Sequence, residues 1–107
     1  MIRKNLPARR SSVTFDLTFW DQPWQVTVGY YDMNQTEPGE VFVNASRRAG
    51  ADLDVMTRDA SILMSLALQH GVPLETIAGA LTRNPSGGPG GIMGAIADRM
   101  KVVKLKG

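Results

Sequence analysis

The sequence predicts an α+β domain, a three-stranded antiparallel meander followed by two or three helices packed on one face. Three observations carry that expectation. Two segments in the first third alternate apolar and polar residues with a period of two. A third short segment is rich in β-branched and aromatic residues, and from Asp52 onward apolar residues recur at helical spacing.

Ser12 to Trp20 sets Val13, Phe15, Leu17 and Phe19 on one face and Thr14, Asp16, Thr18 and Trp20 on the other, the pattern of a half-buried strand. Asp21-Gln22-Pro23 reads as a short loop, because proline donates no ladder hydrogen bond. Trp24 to Tyr31 resumes the alternation and completes a hairpin. The turn-rich connector Asp32 to Gly39 leads to a third strand at Glu40 to Ala45.

A bare three-stranded sheet has to cover its apolar face, and the second half of the chain supplies the cover. Asp52 suits an N-cap, Asp54 suits the first turn, and Asp54 and Arg58 are spaced for an i, i+4 pair, so a helix is expected from Asp52 to about His70. Gly71 can take the left-handed conformation that ends it. Along this helix Asp54, Arg58, Ser61, Ser65 and Gln69 form a narrow polar stripe and apolar residues fill most of the remainder, which predicts burial on several sides. Pro73 suits the first turn of a second helix whose apolar side is Leu74, Ile77, Ala78 and Leu81. Thr82 to Gly91 breaks structure, and Ala95 to Met100, extended back to Ile92, forms a short third helix.

With 107 residues, 43% apolar and 21% charged, the chain has the composition of one small folded domain. Residues 1–11 read as a flexible basic arm, 12–100 as the single domain and 101–107 as a basic tail. The net charge of +2 gathers at the ends, in Arg3, Lys4, Arg9 and Arg10 and in Lys101, Lys104 and Lys106. Such ends can touch phosphates through charge alone, although solvated termini are the simpler reading. The absence of cysteine excludes disulfides, thiolate metal sites and thiol catalysis. No secretory signal and no membrane-spanning run is present, which places the protein in the cytoplasm.

The words GEVFVN, DLDVMTRDASILMSLALQHGVPLETIAGALTR and GGPGGIMGAIAD resemble the TSCPD domain near the C-terminus of vitamin B12-dependent ribonucleotide reductases, over roughly Thr14 to Asp98. The most specific stretches are Arg58 to Ala60, Ser65 to Pro73 and Ala80 to Arg83, followed by the glycine-proline loop. The resemblance implies an appended domain standing alone, without the barrel, the cobalamin or the cysteines of the complete enzyme. A non-catalytic accessory or binding module follows as the expectation, with no cofactor and no catalytic residue to carry over. The resemblance admits a reductase catalytic chain as partner.

Three candidate sites accompany that reading. The loop Asn84 to Gly94 precedes a helix, so Gly87, Gly88, Gly90 and Gly91 are candidate phosphate contacts, although a dinucleotide fingerprint would need a strand before the glycines. Trp20, Trp24 and Tyr31 concentrate on the hairpin as candidate partner-binding residues, and with the multi-sided apolar helix they admit a homodimer or docking on a larger protein. The segment 62–83 also has helix-turn-helix spacing, which makes a small DNA-binding protein the alternative, with Glu75 and Thr76 as base readers and Arg83 as the single supporting cation. His70, the only histidine, and the aspartates of the long helix are expected to serve structure.

Overall fold

The computed structural model describes residues 2–47 and 50–106, with side chains as far as Lys101. Three antiparallel strands, β1 (Ser12–Phe19), β2 (Gln22–Tyr30) and β3 (Pro38–Ala45), lie in the order β1-β2-β3 and are followed by α1 (Ala51–Gln69), α2 (Leu74–Ala80) and α3 (Ile92–Lys106). The α+β meander with helices behind it is therefore the architecture of the chain. Cross-strand pairs Leu17 with Trp24, Phe15 with Val26 and Val13 with Val28 put the predicted apolar residues of the hairpin on one face. Val41 and Val43 continue that face on β3. Met64 and Leu68 of α1, Leu74 and Ala78 of α2, and Ile96, Ala97 and Met100 of α3 close over it. Each fully buried aliphatic side chain of this set contributes about 1.5–3 kcal/mol of transfer free energy.

Several boundaries differ from the sequence expectation. The hairpin turns at Trp20-Asp21, with φ of 52° and 60°, and not at Asp21-Gln22-Pro23. Two positive φ angles make the primed turn that matches the strand twist, so β2 begins two residues early and takes in Pro23. Pro23 sits at the end of the β2–β3 ladder, where its carbonyl accepts the Ser46 N–H at 3.0 Å. The N-cap of α1 is Gly50, without a side-chain cap bond, and Asp52 and Asp54 both fall in the first turn, where negative charge still favours the dipole. Pro73 is likewise the N-cap of α2 and not its first residue. The third helix runs on to Lys106, because no glycine or proline interrupts residues 101–106, so the expected basic tail is mostly helix. The side chains of Lys104 and Lys106 lie outside the described residues.

The sheet has two edges, and α1 runs beside one of them. At Val41 the free edge of β3 meets Ser65, whose Oγ accepts the Val41 N–H at 2.8 Å and offers its own proton to the carbonyls of Ser61 (2.9 Å) and Val41 (3.3 Å). One turn on, Gln69 Nε2 donates to the Gly39 carbonyl at 2.8 Å. The Ser61, Ser65 and Gln69 part of the polar stripe therefore faces inward, with Thr57, Ser61 and Gln69 buried beside Met64 and Leu68, while Arg58 stays exposed. Satisfying the edge of a strand is what turns this stripe toward the protein and not toward water.

The N-terminal arm, expected to be flexible, is tied to the same place. Gln69 accepts from Arg3 Nε at 2.6 Å through its side chain and from the Lys4 N–H at 2.8 Å through its carbonyl. Lys4 adds an ion pair with Glu37 at 3.0 Å, and Arg10 pairs with Glu40 at 3.3 Å. Gly39 makes this possible, since a Cβ there would lie 2.6 Å from the Tyr31 ring and 2.7 Å from Leu6. The register shift at Gly29/Tyr30 brings Gly39 into that crowded position. The connector before it is closed by Asp32, which accepts from Thr36 Oγ1 at 2.6 Å and from the Glu37 N–H at 2.9 Å. Those bonds, the Thr36 hydroxyl first, hold its carboxyl below the usual range.

Ser65→Ala leaves the Val41 N–H without its acceptor, so we expect a loss of about 1–3 kcal/mol in urea unfolding at unchanged m-value. A loss below about 0.3 kcal/mol would show that the edge does not depend on this hydroxyl.

Candidate functional site

The three hairpin aromatics singled out by sequence go to three different environments. Trp24 is 2% exposed at the centre of the core, so it cannot meet a partner, and that assignment is corrected. Its place opposite Leu17 on the apolar face explains the burial. Tyr31 is also spent internally, because its ring packs on Gly39, lies 4.3 Å from Lys4 Nζ, and its hydroxyl donates to the Lys4 carbonyl. Trp20 alone is open, at 72% exposure. It sits at a left-handed position that bulky residues seldom occupy, with its ring 4.7 Å from that of Phe19. Beside it lies an apolar cleft of about 240 Å³ lined by Leu53, Met56, Leu81 and Met93.

The glycine loop is built for its own backbone. The Gly87 N–H donates to the Asn84 carbonyl at 2.8 Å, the Asn84 N–H to the Gly88 carbonyl at 2.8 Å, and the Gly90 N–H to the Thr82 carbonyl at 2.8 Å. A Cβ on Gly90 would fall 2.9 Å from Thr82 Cγ2 and 3.1 Å from its carbonyl oxygen. Close packing thus accounts for Gly90, and two of the four candidate phosphate donors, Gly87 and Gly90, are committed inside the loop, with Gly88 between them and Gly91 after them.

The cation expected to support a DNA-binding helix is engaged as well. Arg83 makes a two-pronged pair with Asp98, at 2.7 and 2.8 Å, and donates to the Ala78 carbonyl at 2.7 Å. It locks the end of α2 to α3 and is not presented to a phosphate backbone. Glu75 and Thr76 lie on the outer side of α2, a helix of 7 residues. The Arg83 hydrogen bonds hold the Asp98 carboxyl below its usual range, and Asp98 raises the Arg83 guanidinium above its own.

What the chain leaves uncovered is the far side of α1. With the polar stripe turned inward, Val55 (52% exposed), Met56 (69%), Ile62 (51%) and Leu63 (67%) face solvent. They lie at i−4, i−3, i+3 and i+4 of Asp59, so this carboxylate stands in the middle of four apolar side chains. The predicted burial of α1 on several sides is therefore not achieved within the chain. On one flank the strip runs to the Trp20 cleft through Leu53 and Met56. On the other, Ile62 borders a groove of about 530 Å³ along β3, with Phe42, Arg58 and Leu66 on its walls and Arg3 among its lining residues. This face is the candidate site. Its signal was present in the sequence as a second apolar stripe at 55, 56, 62 and 63, opposite the serines, but periodicity could not say which stripe faced in.

His70 Nδ1 lies 2.8 Å from the Leu66 carbonyl, one turn back, as a local cap. Among the described residues Asp54 and Arg58, expected to pair, do not, and Asp54 Oδ1 is buried without a hydrogen-bond partner. Among the described residues no group of three or more His, Cys, Asp or Glu side chains is placed to hold a metal ion, and no helix is long and apolar enough to cross a membrane.

Comparison with known proteins points to one family. The family model for the TSCPD domain matches residues 2–104. The vitamin B12-dependent ribonucleotide reductase of Streptantibioticus cattleyicolor is 36% identical over 81 residues, which is 76% of this chain and 13% of that protein. The reductases of Streptomyces clavuligerus and Streptomyces coelicolor are similar at 36% identity over 81 residues, in each case 8% of their length. The chain thus spans only a small part of the curated relatives it matches. No solved structure matches it.

Two outcomes follow from this geometry. Because Asp98 titrates lower folded than unfolded, its pair stabilises above the ordinary aspartate range near about pH 4 and loses that contribution as pH falls through the folded value. Asp98→Asn should therefore lower the melting temperature at about pH 7, and the difference between wild type and variant should shrink as the pH falls below about 4. Replacing Trp20-Asp21 by Asn-Gly, which accepts both positive φ angles, should raise stability by about 0.5–1 kcal/mol in thermal or urea unfolding.

Proposed function

The chain belongs to the TSCPD domain family, and from that membership we propose that it is a non-catalytic accessory module that docks through the solvent face of α1 on a ribonucleotide reductase catalytic chain. One observation carries the proposal. A helix apolar around most of its circumference is stable in the interior of a larger assembly, and here one full side of it has no cover from the described residues. The relatives carry the matching segment inside a much longer chain named as a reductase, which supplies a neighbour for such a side. The strained, exposed Trp20 at the margin adds an aromatic anchor of the kind that dominates interface energies.

The non-catalytic reading rests on the lack of cysteine in the sequence, since radical chemistry through a thiol has no residue to use. Nucleotide binding at residues 84–91 is weaker as a reading, because two of the four candidate N–H groups, those of Gly87 and Gly90, are taken by the Asn84 and Thr82 carbonyls. DNA binding is weaker still, with Arg83 held by Asp98 and Ala78.

Purified chain mixed with a purified B12-dependent reductase catalytic chain should co-sediment. Leu63→Asp should weaken that association at least about tenfold while leaving the melting temperature nearly unchanged, since Leu63 contributes little to the chain's own core. No association by the wild type, or full association by the variant, would count against this face and this partner.

A further inference from the structure

We propose that the segment that covers α1 is an amphipathic helix carrying one cation, an arginine or lysine, in the middle of its apolar face, and that this cation pairs with Asp59. The inference rests on the docking reading above and names the chemistry of the partner.

The geometry leaves few alternatives. Val55, Met56, Ile62 and Leu63 surround Asp59 at one turn in each direction, so no partner can bury that apolar quartet without also burying the carboxylate. Asp59 makes no ion pair or hydrogen bond among the described residues that would compensate its loss of water. An ionised carboxylate taken out of water without a partner is strongly unfavourable, whereas one that meets a cation within an apolar ring is both tolerated and selective. A straight helical ridge with this pattern is met by a second helix lying in its grooves.

A second copy of this chain does not fit the requirement. Asp52 lies two turns before Asp59 on the same line of α1, so the solvent face holds two carboxylates. The one cation of the helix, Arg58, is turned aside into the grooves along β3. A symmetric contact between two α1 faces would bring carboxylate toward carboxylate, which opposes self-association. The complement is a different helix, apolar and basic.

The test uses the full chain and a set of amphipathic helical peptides that are identical except at the central position of the apolar face, where they carry Arg, Gln or Glu. Titration calorimetry should show the Arg peptide binding at least about tenfold tighter than the Gln peptide and the Glu peptide weakest. Asp59→Asn should remove the preference, and Asp59→Arg should reverse it in favour of the Glu peptide, a rescue that a merely structural role for Asp59 would not produce. Equal binding of the three peptides, or binding of none, overturns the inference. So does sedimentation showing a dimer that forms through α1 at neutral pH. Arg-selective binding in a protein that ignores the reductase chain would sink the proposed partner and leave this inference standing.

Discussion

The arrangement of this molecule depends on the contact between Ser65 and Gln69 of α1 and the open edge of β3. A strand at the edge of a small sheet exposes donors and acceptors that must find partners, and here they find side chains of a helix and not another strand. That choice fixes the rotation of α1 about its own axis. Once the serine side of the helix faces the strand, Met64 and Leu68 follow into the core and the residues around Asp59 are turned to water. An apolar exterior is thus the consequence of a polar interior, and both come from one hydroxyl and one amide.

The same contact organises the entrance of the chain. Gln69 uses its amide for Gly39, its carbonyl oxygens for Arg3 and Lys4, and is almost fully buried in doing so. The arm, the β3 bulge and the end of α1 therefore share one set of hydrogen bonds, with Tyr31 lying over the glycine that lets them approach. Cooperative networks of this sort hold only while each member is satisfied. A second lock, between Arg83 and Asp98, fixes α2 against α3 at the other end of the domain. Between the two, none of the residues first considered for nucleic-acid or phosphate contact stands as a prepared site.

The family relationship and the exposed face support each other. The segment this chain matches makes up 13% or less of its reductase relatives, so in those proteins it has a large neighbour, and in this chain α1 exposes one apolar side. Trp20 fits the same scheme. A bulky residue in a left-handed turn costs stability, and Trp20 lies at the margin of the same exposed face.

Period-two alternation from Ser12 onward fixed the hairpin and its apolar face by itself, because the pleat sends every second residue to the same side whatever else the chain does. The glycines after Gln69 and before α3, the helical spacing of the second half and the small core were legible for the same reason, as local rules acting on neighbouring residues. The tertiary structure alone decided which way α1 faces, that Tyr31 holds the arm, and that Arg83 belongs to Asp98. Each of these depends on a group far away in sequence, such as the Val41 amide, the Lys4 carbonyl or the Asp98 carboxylate. Periodicity along one segment cannot report what lies opposite it; that is set by where unsatisfied polar groups elsewhere in the chain find their partners.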